Sequence, residues 1–285
     1  QVKKISNHIA KKVADRLDEL FRNERDLFES KWDSLKVFVQ YGMLSDEKFY
    51  DRAVKFDLMT DVAGKHFTLD EYRTLTESEQ TDKDGSLIWL YASDRDAQYA
   101  AIARAEAKGY SILLMDGPLD VHAVSQLEQK LEKTRFVRVD SDTIDKLIAK
   151  SEVKAVELSE EEQSALRAIF SARLPKEEKR NYSVSLEALG ADGDAVQVTQ
   201  GEFMRRMQEM ARLQPGMNFY GDLPEGYNVI LNYEHPLLQR LLQQEKSEVE
   251  PKLAELRASL AEEQAKIAAE EKALEGQETK TSAEL

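Results

Sequence analysis

The 285-residue chain contains no cysteine, which excludes disulfides, thiol nucleophiles and cysteine-ligated zinc. That absence fits a reducing compartment. No run comes near the roughly 20 apolar residues that cross a bilayer, so a membrane protein built on spanning helices is excluded. Positive charge is short: 40 Lys and Arg stand against 54 Asp and Glu, a net charge of −14. No basic tract offsets it, and an acidic surface repels phosphate, which argues against nonspecific nucleic-acid binding. Histidine is scarce as well. His8, His66, His122 and His235 are far apart, so none has metal spacing with another. No apolar h-region follows Gln1-Val2-Lys3-Lys4, so the start does not read as a signal peptide. It opens on a helical pattern without an initiator Met, and the expectation is a segment cut from a longer protein.

What is present is a soluble, helix-rich composition, 33% charged and 41% hydrophobic, long enough for about two domains. Ile5, Ile9, Val13, Leu17 and Phe21 recur every four residues and predict one amphipathic helix. Leu27, Phe28, Trp32, Leu35 and Phe38 predict a second, broken by Gly42. Ser45 is the expected cap of a third, which carries Phe49, Ala53 and Phe56. Residues 1–62 therefore read as a three-helix bundle. In 63–150 the apolar runs 86–91, 111–115 and 136–139 alternate with helical stretches 95–108 and 119–131. That alternation predicts a small parallel sheet covered by helices, an αβα subdomain. A charged boundary over 141–162 leads to a mixed α/β domain, 151–245. It has a helix over 163–174, a hairpin of 183–189 with 196–199, a helix over 202–213, a strand over 227–232 and a helix from Pro236. The last stretch, 246–285, is rich in Ala and Glu. Leu253, Leu260, Ile267 and Leu274 are spaced by seven, but Glu263 and Glu270 occupy the complementary position. Half a seam implies either a long helix in need of an apolar partner or a frayed one. The fold class is mixed α+β and α/β.

Two features bear on chemistry. Asp94 and Asp96 follow the first strand of the parallel sheet, and Asp116 and Asp120 follow the second, where ligands of such sheets sit. Four carboxylates there could hold Mg²⁺ for phosphoryl transfer. The plainer reading is helix caps and a turn, and no Gly-rich phosphate loop accompanies them. The second feature is the helix carrying Phe203, Met207 and Met210 at i, i+4 and i+7. Thioethers adapt to many apolar partners, although a helical apolar stripe ordinarily faces a core. A purely structural scaffold is the reading if that stripe is buried.

Several blocks taken together resemble a known family. Phe38-Val39-Gln40-Tyr41-Gly42-Met43, Leu69-Asp70-Glu71-Tyr72, Ile112-Leu113-Leu114-Met115-Asp116, Leu119-Asp120 with Leu127, and Ile230-Leu231-Asn232 before His235-Pro236-Leu237 are similar, in order and spacing, to the heat-shock protein 90 chaperones. The likeness covers about residues 1–245 and is nearest the family's bacterial form. It implies the end of the middle domain and most of the C-terminal domain of an ATP-driven, cytoplasmic, homodimeric stress chaperone. The ATP- and Mg²⁺-binding domain would then lie outside this chain, leaving it with no catalytic, cofactor or metal residues. The implied partners are unfolded or partly folded client proteins, with no nucleic acid and no membrane. Position by position, the client contacts would be Phe203, Met207 and Met210 on the one helix, and His122 and Ser125 on the helix after the second strand. At His122 the likeness departs from the family, because a smaller titratable ring replaces a large apolar one. The tail departs too, so this segment is expected to be monomeric or weakly associated.

Overall fold

A computed structural model describes the backbone of residues 2–152, 155–201, 205 and 225–283, with side chains within these between residues 8 and 271. Helices α1 (Val2–Asn23), α2 (Arg25–Ser30), α3 (Trp32–Ser45) and α4 (Glu47–Ala53) open the chain. The expected second helix is broken at Lys31 into α2 and α3, which resets its phase. Phe28, Trp32, Val39 and Met43 are buried, whereas Leu27 and Phe38 are exposed, Phe38 by 73%. Gly42 does not end α3. It admits the Phe49 ring of α4, which a Cβ at that position would meet at 2.6 Å. The cap of α4 is Asp46 rather than Ser45, its carboxylate accepting the Phe49 amide at 3.0 Å.

In α1 the buried side is carried by Ala14, with Ala10, Leu17 and Phe21 beside it, while Ile9 and Val13 are exposed. The reason is geometric. At 3.6 residues per turn each step of four advances about 40° around the axis, so a row of five drifts roughly 160°. Such a row cannot keep one face to the core.

A short antiparallel pair, β1 (Met59–Thr60) and β2 (His66–Phe67), leads to α5 (Leu69–Gln80). Thr68 and Glu71 form a capping box at the start of α5, and Arg25 holds the Glu71 carboxylate at 2.8 Å. That pairing draws the Glu71 carboxyl down to about 2. Then come β3 (Leu87–Ala92), α6 (Tyr99–Ala107), β4 (Ile112–Leu114), α7 (Asp120–Lys130), β5 (Thr134–Arg138) and α8 (Ile144–Leu147). The sheet is parallel with order β4-β3-β5, Trp89 opposite Phe136 and Leu90 opposite both Ile112 and Val137. Every residue of β3 is buried, as a doubly covered strand requires. Alternate residues face opposite layers. Leu87, Trp89, Tyr91 and Phe136 join α1–α5 and α7 in one core, and Ile88, Leu90, Ala92 and Val137 join α6 and α8 in the other.

The later elements are α9 (Glu160–Ser171), β6 (Arg180–Glu187), β7 (Val196–Thr199), β8 (Glu225–Asn232), α10 (Pro236–Gln244), a π-helical turn (Glu245–Val249) and α11 (Glu250–Ala283). The expected hairpin is not formed as such. β6 and β7 share a sheet, but its order is β6-β8-β7, with the apolar run Val229–Leu231 supplying the central strand. Asn232 is fully buried. Its side chain accepts the Leu189 and Glu234 amides and donates to the Gly190 carbonyl, which fixes the turn after β6. His235 Nδ1 caps α10 by accepting the Leu237 amide at 3.1 Å, with Pro236 at the first helical position. α11 is helical throughout, and its side chains are exposed as far as Glu271.

The chain divides into two compact units. The first is Gln1–Ala155 with Lys176–Ser183 and Val198–Val229, and holds the parallel sheet. The second is Val156–Pro175, Val184–Gln197 and Ile230–Leu285, and holds α9, α10 and α11.

Candidate functional site

The site begins with α7. Val124 and Leu127 bury its inner face in the core beneath the sheet. Its N-terminal residue, Asp120, is 3% exposed and receives Lys36 Nζ at 2.9 Å and Gln40 Nε2 at 2.7 Å from α3. Farther along, Gln126 donates to the Met43 carbonyl at 2.9 Å and Lys130 pairs with Glu47 at 2.7 Å. Polar contacts at both ends and an apolar middle thus fasten α7 to α3 and α4. His122 and Ser125 lie on this anchored helix, three residues apart and half-buried. The Ser125 hydroxyl donates to the Val121 carbonyl at 3.0 Å, so part of its polar capacity is engaged within the helix.

Phe203, Met207 and Met210 lie outside the described residues. Arg205, between them in sequence, is described. Its guanidinium donates to Asp140 Oδ2 at 3.3 Å and to Gln200 Oε1 at 3.0 Å. Asp140 lies just past β5, where it also accepts Arg138 Nε at 2.6 Å and Gln98 Nε2 at 2.8 Å. Sequence reading missed this node. An Arg and an Asp flanking one Val at the end of an apolar strand was its only signal.

At the carboxyl edge of the sheet, Asp94, Asp96 and Asp116 line an open cleft of about 690 Å³ with Arg95, Tyr99 and Ile102. Asp120 does not join them, because Lys36, Gln40 and the Gly117 amide hold it inside the fold. The fourfold convergence that Mg²⁺ chemistry would use is therefore not formed. Asp94 Oδ1 instead accepts the Asp96 and Ala97 amides at 3.0 and 2.9 Å, which is turn-forming work. Among the described residues no three His, Asp or Glu could hold a metal ion. Millimolar Mg²⁺ is expected to leave the NMR signals of Asp94, Asp96 and Asp116 unmoved; specific, saturable shifts would restore the metal reading.

The family model described as Hsp90 protein matches residues 1–280. A protein named chaperone protein HtpG from Porphyromonas gingivalis is 61% identical over 256 residues, 90% of this chain and 37% of that protein. Its namesake from Bacteroides fragilis is 52% identical over 90% of this chain and 38% of its own length. The chain thus spans under two fifths of these relatives. Among solved structures, the middle domain of a Plasmodium falciparum heat shock protein aligns with a TM-score of 0.40 and 15% identity, covering 49% of this chain and 58% of that one. No helix among the described residues is long and apolar enough to cross a membrane.

Proposed function

The chain belongs to the Hsp90 protein family, and on that premise we propose that it is the client-holding part of an ATP-driven, homodimeric, cytoplasmic chaperone. The observation that carries this reading is the 61% identity, over 90% of the chain, to a relative named a chaperone. In this reading the chain comprises two parts of the middle domain, 1–62 and 63–150, a C-terminal α/β domain, 151–245, and a helical tail, 246–285. ATP and Mg²⁺ act elsewhere in the full protein, and this segment neither binds nor hydrolyses nucleotide. It associates weakly on its own.

Clients are held by Phe203, Met207 and Met210, with His122 and Ser125 as a second contact on α7. The chemistry is apolar burial, about 25 cal/mol per Å², opposed by the ordering of a flexible client. A modest apolar stripe within a body of net charge −14 suits weak, repeated binding. The fixed seat of α7 supports a rigid contact there.

The test is the double variant Met207→Ala with Met210→Ala. Its affinity for a denatured probe protein is expected to drop about tenfold, which corresponds to about 1.4 kcal/mol, with melting unchanged. Unchanged affinity in a folded variant would refute this mode of client binding.

A further inference from the structure

The last helix leaves a firm seat and carries an apolar stripe into water. Leu238 and Leu242 of α10 are buried, and Lys246 in the π-helical turn pairs with Glu162 of α9 at 2.6 Å. From Lys246 to Glu271 every side chain is exposed. Beyond Val249 the helix is α, and at 3.6 residues per turn Val249, Leu253, Leu256, Leu260 and Ile267 fall within an arc of about 60°. They are exposed by 37% to 65%. Val249, Leu253, Leu256 and Leu260 follow one another by four, three and four, which is an intact coiled-coil seam of about two heptads. Glu263 ends it. A lone helix in water is marginal, and burying such a stripe against a second helix is what steadies it.

We propose that this seam is covered by the same seam of a second copy of the chain, running antiparallel about a two-fold axis between Ala254 and Glu255. Reversal about that point sets Val249 against the second copy's Leu260 and Leu253 against its Leu256, so all four residues find apolar partners in both chains. It also brings Glu250 beside the second copy's Arg257, twice by symmetry, as two attractions along one flank. Glu263 then falls opposite the second copy's Lys246. A parallel pair fits worse. There Arg257 would flank the second copy's Lys252, and Glu263 would face its own counterpart, like charge against like in each case. This match of charge to direction assigns the occupant as the chain itself rather than an unrelated helix. The seam is short and each copy carries a net charge of −14, so the pairing is weak, in keeping with the weak self-association proposed above. It depends on α11 alone and not on how clients are held.

The experiment is sedimentation equilibrium of the chain at concentrations up to about 0.5 mM. The mean mass is expected to rise with concentration toward that of a dimer. Leu256→Glu should abolish the rise with melting unchanged, because that side chain is exposed in the single copy. Arg257→Glu should weaken association about tenfold, since two exposed attractions become two repulsions. Adding Glu250→Arg to it reverses both charges and should restore association. A mass that never rises, or a rise that survives Leu256→Glu, overturns the pairing. Stronger association in Arg257→Glu is the parallel outcome and overturns the antiparallel register. The chain has no cysteine, so introduced thiols report direction independently. Chains with Glu250→Cys and chains with Arg257→Cys, mixed in a glutathione buffer, should cross-link to each other faster than either does to itself; the reverse order overturns the register. No client enters either readout, so failure of this pairing and failure of the client-binding reading are distinguishable.

Discussion

Truncating Trp89 to Ala is expected to lower the unfolding free energy of the first unit by about 3–5 kcal/mol, the range for large aromatic truncations in a packed core. Trp89 is wholly buried in the middle strand of the parallel sheet. Its ring meets Tyr72 at 5.4 Å and Phe136 at 5.2 Å, both edge to face, so it joins α5 to the neighbouring strand. Its indole N–H donates to Thr76 Oγ1 at 2.9 Å. Removing the ring opens a cavity that these three elements cannot all close. Trp89→Phe keeps much of the stacking and loses the hydrogen bond, so its loss should be nearer about 1–2 kcal/mol. The chain's two tryptophans, Trp32 and Trp89, both lie in the first unit. Urea unfolding followed by Trp32 emission therefore reports that unit alone. A loss of under about 1 kcal/mol in Trp89→Ala would mean that the sheet is not the first unit's stability centre.

The strands of that sheet were legible because full burial leaves an unmistakable trace. Leu87 to Ala92 is apolar at every position, and the flanking Asp84-Gly85 and Gly109 mark where the chain turns. The N-terminal helices were less legible. Spacing by four mimics a face without staying on one, so Ile9 and Val13 read as core while Ala14, a residue without an apolar signature, fills it. The break at Lys31 has neither Gly nor Pro to announce it. The misplaced hairpin has a different cause. Two short alternating strands beside a turn look alike whether they pair with each other or with a third strand arriving from some 30 residues downstream. At the candidate site, Asp120 shows the limit most clearly. From sequence it is one of four acids at a sheet edge. In the fold its partners Lys36 and Gln40 come from about 80 residues away. Long-range polar pairing leaves no local periodicity, so neither Asp120's role nor the Asp140–Arg205 contact could be read beforehand.

Arg138 should be the most damaging polar position in the first unit. It is 1% exposed at the end of β5, where its Nε donates to Asp140 Oδ1 at 2.6 Å and Nη1 to Ser93 Oγ at 2.8 Å. Replacement by Met retains much of the volume but leaves the half-buried Asp140 with less of its counter-charge. Breaking one side of a buried pair costs about 3–5 kcal/mol, whereas removing both charges together often costs little. Arg138→Met alone is therefore expected to lose about 3–5 kcal/mol by tryptophan emission, and Arg138→Met with Asp140→Asn appreciably less. Arg138→Lys should rescue poorly, since a point charge cannot reach the carboxylate and Ser93 at once as the planar fork does. If the double variant were no more stable than Arg138→Met, packing rather than the stranded charge would be what Arg138 contributes.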